Sequence, residues 1–350
     1  MSDNSLGDIF VVNSWGESHG KAIGVVIDGC PPLLEISKQD IQFELNRRRP
    51  GQSEIVTQRN EPDIVEILSG IFENKTTGTP ISMIIWNKDS KKEDYSGLKK
   101  KFRDGHADYV YEKKYGIRDY FGGGRSSARI TAGYVAAGAL AKKFLKNNLG
   151  IEILAYSRKI YNIEYTASPD TLEFEQIEKN PVRCPDEETA FRMITLLKKI
   201  KKQGNSVGGI VECIVRNVQI GLGEPVFNKL DSRLAQAMLG INACKGFEIG
   251  SGFSCSNMTG KEHNNSSKNF SGGVTGGISD GNNIVFRAAF KPTPNYGNDR
   301  SDPCVVPRAV PIVEALTAII LMDLYLKGLK NSSIVYKLLK NSDDKTDNVF

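Results

Sequence analysis

Short apolar runs rich in Ile and Val recur along the chain, bounded by Gly, Pro or Asn. They are Ala22–Asp28, Ile64–Phe72, Ile81–Asn87, Ile151–Ile160, Val207–Val218 and Asn283–Phe290. Runs of this length and composition predict β-strands. Between them lie segments with helical spacing. Ser37–Arg49 opens with Ser37 and Asp40 at capping-box spacing and stops before Pro50-Gly51. Ser126–Leu149 runs out in lysines followed by Gly150, a good helix exit. Asp186–Lys202 stops at Gly204, and Lys229–Leu239 is shorter. Val310–Lys327 follows two prolines and is apolar on most sides, which predicts a buried helix.

The helix predicted from Ser126 carries Ala128, Ala132, Gly133, Ala136, Ala137, Gly138, Ala139 and Ala141. Side chains this small let a neighbouring layer approach closely. The order of elements lacks a regular βαβ alternation, so the pattern predicts α+β layers and no doubly wound sheet. Two polar stretches read as loops: Lys261–Asn269, and the tail from Asn331 to Phe350. The tail has a weak helical pattern around Ile334–Leu339 and is expected to fray. The expected organisation is one domain over 1–330 and a polar tail over 331–350.

Composition narrows this only modestly. The formal net charge of +5 on 350 residues is too mild to demand nucleic acid, but it suits a site for polyanionic small molecules. The basic runs Lys99–Lys101 and Arg47–Arg49 have no interleaved aromatic residues, so an RNA-binding surface is disfavoured. Six cysteines form no CxxC pair and show no metal-like spacing, which points to buried thiols in a reducing compartment. Met1–Gly7 is polar. The longest apolar run, Ala315–Met322, is too short to span a bilayer and is flanked by Glu314 and Asp323. A cytoplasmic protein with neither membrane nor nucleic-acid partners is expected.

Candidate chemistry concentrates at Gly122-Gly123-Gly124-Arg125-Ser126-Ser127-Ala128-Arg129. Glycines that let the backbone turn, hydroxyls at a helix start and two flanking arginines predict an anion cradle. The chain has only three histidines. His263 lies in a polar run and reads as solvated. His19 and His106 lie in glycine-containing turns, where loops present functional groups, and either can act as a general acid. Arg47–Arg49 suits either a solvated helix end or phosphate oxygens. Gly272–Gly277 is a second glycine-rich loop, and Lys291-Pro292-Thr293-Pro294 closes a strand. Walker A, GxGxxG and HExxH motifs are missing. The residues alone thus reach an enzyme or binder of phosphorylated small molecules.

Six ordered segments carry a resemblance: GESHG at 16–20, RRRPGQS at 47–53, GHADY at 105–109, YGIRDYFGGGRSSAR at 115–129, INACKGFEIGSGF at 241–253 and DPCVVPRAVPIVEALTAIILMD at 302–323. Together they resemble the chorismate synthases over about residues 7–329. The resemblance implies a β-α-β sandwich with a helical layer between antiparallel sheets, assembled as a homotetramer. It implies a lyase of the shikimate pathway that converts 5-enolpyruvylshikimate 3-phosphate to chorismate by 1,4-anti-elimination of phosphate. Reduced FMN is the implied cofactor, with NADPH as a candidate reductant. His19 is the implied proton donor to the leaving phosphate. His106 is expected beside the flavin, and Asp302 matches the aspartate that helps flavin take the substrate's hydrogen. Arg48, Arg103 and Arg129 match positions that hold substrate anions. Arg125, Ser126, Ser127, Asn242, Ala243, Gly276, Lys291, Pro292, Thr293, Pro294, Asn295 and Arg300 match flavin contacts. The chain departs from the family pattern at Glu54, where a basic residue is common. It departs again at Ser301 in place of a histidine, at Asp104 in place of a proline, and in a short segment between Thr293 and Arg300.

Overall fold

The computed structural model describes residues 3–57, 59–89, 97, 99–265, 267–294 and 302–329. The first half of the chain supplies β1 (Ser5–Leu6), β2 (Val11–Gly16), β3 (Ala22–Asp28), α1 (Lys38–Arg48), β4 (Val65–Ile67), β5 (Ile71–Phe72), β6 (Lys75–Thr76), β7 (Ile81–Trp86), α2 (Asp108–Tyr115) and α3 (Thr131–Leu149). The second half supplies β8 (Glu152–Ile160), β9 (Ile163–Glu164), α4 (Phe174–Glu178), α5 (Glu187–Lys202), β10 (Gly209–Arg216), α6 (Leu230–Leu239), β11 (Cys244–Ile249), α7 (Gly260–His263), β12 (Val274–Thr275), β13 (Ile278–Ser279), β14 (Ile284–Phe290) and α8 (Val306–Gly328).

Two five-stranded antiparallel sheets result, ordered β1-β2-β3-β7-β4 and β11-β14-β10-β8-β9. Helix α3 packs on β3 and β7 of the first sheet, α8 packs on β8 and β10 of the second, and the two helices pack on each other with α1 alongside. This is the expected α+β sandwich with helices between the sheets. The strict alternation of β14 shows how a strand serves it. Ile284, Phe286, Ala288 and Phe290 are buried, and the residues between them are half-exposed. Small residues close the helical layer. A Cβ on Gly138 would lie 2.4 Å from the Cβ of Ala315, so α3 and α8 touch backbone to backbone there.

Several predicted elements need correction. The run Ile64–Phe72 is two strands, because the chain turns at Gly70 (φ +81°), where a Cβ would strike Ile81 at 2.6 Å. The helix predicted from Ser126 begins at Thr131. Two 3₁₀ turns, Gly124–Ser126 and Ala128–Ile130, precede it, with Ser127 extended between them. Lys261–Asn269 is not all loop, since Thr259 and Glu262 form a capping box that starts the single turn α7. The capping box at Ser37 and Asp40 forms as expected. Strand β2, strand β11 and helix α2 were not anticipated. The predicted tail 331–350 lies outside the described residues.

Helix α8 starts four residues before the predicted point, at Val306, and carries Pro311 internally. Proline has no N–H to give the carbonyl four residues back. That carbonyl, Pro307 O, takes its hydrogen bond from Arg183 Nη1 at 2.7 Å instead. At 23 residues and a mean hydropathy of 1.9, α8 is long and apolar enough to cross a bilayer, contrary to the reading of its shorter core run. Burial of 89 % of its most apolar stretch between the sheets marks it as a core helix. Five of the six cysteines are buried, and Cys255 is exposed.

The two acids that flanked the apolar run, Glu314 and Asp323, are both wholly buried. Asp323 Oδ1 accepts the backbone N–H groups of Asp8, Ile9 and Phe10 at 2.8, 2.7 and 3.0 Å. Arg233 reaches its other oxygen at 3.2 Å. Glu314 receives Arg47 Nη1 at 2.5 Å, Lys142 Nζ at 2.8 Å and the Ala155 N–H at 3.1 Å. Burial alone would raise the Glu314 carboxyl, but Arg47 and Lys142 more than offset this and hold it at about 2 against an ordinary 4.5.

Two expected outcomes follow from this packing. A depressed carboxyl contributes stability above its unfolded value and loses it as pH falls through the folded one. Stability should therefore drop as pH is lowered from about 4.5 towards 2, with Glu314 contributing on the order of 3 kcal/mol. Urea unfolding of Glu314→Gln should show a flatter acid limb and lower stability at pH 7; an acid limb identical to wild type would contradict the assignment. Gly138→Ala should destabilise by about 1–3 kcal/mol through overpacking against α8, read as a lowered Tm.

Candidate functional site

Six separate stretches of chain converge on one cavity of about 520 Å³. The β2–β3 connection brings Ser18 and His19, and the segment after α1 brings Thr57 and Arg59. The approach to α2 brings Arg103 and His106. The glycine-rich turn brings Gly122, Ser126, Ser127 and Arg129. The segment from α6 into β11 brings Asn242, Ala243 and Lys245. The last stretch, from β14 into α8, brings Lys291, Thr293, Pro294, Asp302 and Arg308. The size is that of a small-molecule pocket.

The glycines have a specific task. A Cβ on Gly122 (φ +70°) would lie 2.2 Å from His19 Nδ1, and one on Gly123 (φ +88°) would lie 2.7 Å from His106 Cε1. Two consecutive glycines thus seat the two histidine rings. Behind them the chain closes in 3₁₀ turns, so the expected cradle of free amides at a helix start is not what forms. Ser126 Oγ donates to Gly123 O at 2.7 Å, and Ser127 Oγ accepts the Arg129 N–H at 3.3 Å.

Each histidine has a defined neighbour. His19, 4 % exposed, places Nδ1 3.1 Å from Ser18 Oγ. Arg59 Nη1 donates to the same hydroxyl at 3.2 Å and its Nη2 to Ser18 O at 3.0 Å, while buried Glu61 holds Arg59 at 2.8 Å. His106 Nδ1 lies 2.9 Å from Asp108 Oδ1. Arg103 binds both oxygens of Asp108, Nε at 2.8 Å and Nη2 at 2.9 Å. Burial would raise Asp108, but the bonds from Arg103 and His106 outweigh it and hold the carboxyl well below its usual range.

The walls are electropositive. Among the described residues, Arg59, Arg103, Arg129, Lys245, Lys291 and Arg308 face one lining carboxylate, Asp302. Arg129 is 4 % exposed, bonds Asn87 through Nε at 2.9 Å and pairs with Asp63 through Nη1, yet its Nη2 is buried with no partner among the described residues. Asn242 donates to Ser126 O at 2.8 Å and leaves its own Oδ1 buried without a donor among the described residues. Orphaned polar atoms are expensive in a folded chain and mark where a ligand completes the set. Ala243 sits at φ +69°, a left-handed conformation that favours glycine, another sign of strain held at a ligand wall. Asp302 Oδ1 accepts the Thr57 N–H at 2.9 Å, and Oδ2 pairs with Arg308 at 2.5 Å.

The structure brings together His19, His106, Asp302, Arg103, Arg129, Ser126, Ser127, Asn242, Ala243, Lys291, Thr293 and Pro294. It places other expected residues off the wall. Arg48, 1 % exposed, braces the turn before α3 by donating to Thr131 Oγ1 at 3.1 Å and Ala128 O at 2.5 Å. Arg125 grips Ser14 Oγ at 3.2 Å and Gly16 O at 3.1 Å. Gly276 lies in the β12–β13 turn and Pro292 beside the strand exit, neither lining the cavity. Asn295, Arg300 and Ser301 lie outside the described residues. Glu54, exposed, pairs with Lys198. Sequence reasoning missed Arg59, Thr57, Lys245 and Arg308; Lys245 and Arg308 lay in segments already singled out, at 241–253 and 302–323, and Thr57 and Arg59 did not.

Comparison with known proteins decides the family. The chorismate synthase family model matches residues 10–299. The chain belongs to the chorismate synthase family. It is 51 % identical over 348 residues to a chorismate synthase of Microcystis aeruginosa, covering 91 % of this chain and 95 % of that one. It is 53 % identical over 358 residues to a chorismate synthase of Christiangramia forsetii, covering 95 % of this chain and 100 % of the relative. A solved structure described as the crystal structure of chorismate synthase superposes with a TM-score of 0.75 at 32 % identity, covering 92 % of this chain and 93 % of that one. The family model's match contains both histidines and the glycine turn. Asp302 and Arg308 fall just past its end.

Gly122→Ala and Gly123→Ala should each displace one histidine while leaving the fold in place. Turnover in the assay described below should fall at least about tenfold, within the range a positioned acid or base supplies. Wild-type turnover in both variants would remove the glycine seats from the site.

Proposed function

We propose that this protein is a chorismate synthase that eliminates phosphate from 5-enolpyruvylshikimate 3-phosphate with reduced FMN as cofactor. The observation that carries this reading is the convergence of His19, His106, Asp302 and the unpartnered Nη2 of Arg129 on a single cation-rich cavity. Six lining cations against one carboxylate suit two anionic ligands held together, a flavin phosphate and a substrate bearing phosphate and carboxylates. The residues fit the flavin: Ser126, Ser127, Asn242, Ala243, Lys291, Thr293 and Pro294 would hold it, and the orphaned Asn242 Oδ1 offers an acceptor to a ring N–H. When bound, reduced FMN lends electron density to the allylic system and recovers it, so no net redox change results.

The chain's own groups do the rest. Arg129 Nη2, with Lys245 and Lys291 in the same wall, binds and orients substrate anions and stabilises charge on the departing phosphate. Arg59 can only donate, so it occupies one acceptor site on Ser18 Oγ, and we assign the hydroxyl proton to the bond with His19 Nδ1. Neutral His19 then carries its ring proton on Nε2, the form that can give a proton to the leaving group. Asp302, oriented by Arg308 and the Thr57 N–H, is the carboxylate that would assist transfer of the ring hydrogen to the bound flavin. Arg48 and Arg125 act one layer back by setting the turn on which Arg129 and the glycines stand. The protein works as a cytoplasmic homotetramer independent of membranes and nucleic acids, with NADPH as a candidate source of flavin reduction.

Without oxygen, with photoreduced FMN and substrate, the protein should release chorismate and phosphate in equal amounts. Neither product from folded protein would overturn the reading. His106→Ala should lower turnover at least about a hundredfold; near-normal turnover would take His106 out of the reaction.

A further inference from the structure

We infer that Asp108 is a positioning residue for this reaction, fixing His106 as the tautomer with its proton on Nδ1 so that Nε2 meets the cavity as an acceptor. The inference rests on the proposed function for its kinetic part only. Asp108 is 2 % exposed and does not line the cavity, so it acts through His106. Its Oδ2 accepts the Arg103 N–H at 3.1 Å and Nε at 2.8 Å. Its Oδ1 accepts Arg103 Nη2 at 2.9 Å and faces His106 Nδ1 at 2.9 Å. Arg118 Nη1 stands 3.8 Å from the same oxygen.

His106 Nδ1 also lies 3.1 Å from Arg103 Nη2. The Asp108 carboxyl, held well below its usual range, is ionised and can only accept, so the 2.9 Å approach needs a proton on Nδ1, and a nitrogen so protonated cannot also accept from Arg103. The short approach follows from both donors sharing one oxygen. Nδ1–H therefore donates to Asp108, and Gly123 holds the opposite edge of the ring, Cε1 and Nε2. Nε2 can accept a hydrogen bond from a bound ligand, or take and return a proton there, without breaking the bond that holds the ring.

Asp108→Asn should invert this. The backbone N–H of Arg103 and its Nε need an oxygen at the Oδ2 position, so the amide NH₂ turns towards His106. His106 Nδ1 then meets two donors, that NH₂ and Arg103 Nη2 at 3.1 Å, and can serve them only as an acceptor, by moving its proton to Nε2. With ¹⁵N-histidine-labelled protein at about pH 9, where free imidazole is neutral, magic-angle-spinning NMR reads the tautomer. Only three histidines contribute, and His106→Gln and His263→Gln assign them. The wild type should show a protonated Nδ1 and a bare Nε2 at His106, and Asp108→Asn the reverse. The same variant should lower kcat about a hundredfold with substrate KM within about threefold, and Asp108→Glu should recover part of kcat. A bare Nδ1 in the wild type would overturn the inference even if a variant fails to fold. So would a tautomer and kcat both unchanged in folded Asp108→Asn. Absence of synthase activity would strike the proposed function and leave the tautomer reading intact.

Discussion

A single buried carboxylate organises this molecule. Glu314 on α8 reaches Arg47 on α1, Lys142 on α3 and the backbone of β8. It thereby joins all three central helices to the second sheet. An uncompensated charge there would be intolerable, and a paired one is bound to a fixed geometry. Arg47 adds Glu178 at 2.8 Å, and Arg183 links the same Glu178 to Pro307 O, the carbonyl left open by Pro311. The registry of the helical layer is thus set by directional contacts inside an otherwise apolar interior.

The active-site wall depends on that registry. Arg47 is followed by Arg48, which braces the turn before α3 and approaches Asp63 at 3.5 Å. Asp63 in turn pairs with Arg129. One residue of the arginine run therefore belongs to the core network, and its neighbour to the support behind the cavity. Burial, then the nearby Arg308 guanidinium, disfavours the charge on Arg48. The same two-layer logic recurs around the wall: Glu61 behind Arg59, Asp108 behind Arg103, Asp63 behind Arg129. Each carboxylate aims a cation that would otherwise point freely.

Strands β3, β7, β8, β10 and β14 and the five long helices were legible because their periodicity and end signals are local. The layered class followed from their order. Strand β2 was not legible, since Val11–Gly16 mixes polar and apolar residues around Trp15 and gains its definition from pairing with β3. Helix α2 was hidden because its identity comes from Asp108 and the turn before it, with little apolar face. At the site, motif residues such as His19, His106 and Asp302 were readable. Arg59 was not, because its meaning lies in its contact with Ser18, 41 positions away. The two acids flanking the apolar run looked like ordinary polar ends; only the fold reveals them as interior anchors.

The paired glycines under the histidines have a mechanical consequence. Neighbouring α-carbons are about 3.8 Å apart whatever the side chains do. Two imidazoles packed on adjacent residues therefore sit side by side on one short stretch of backbone. The rings hang from separate segments, so a side chain added at either glycine would press on one ring and leave the other seated.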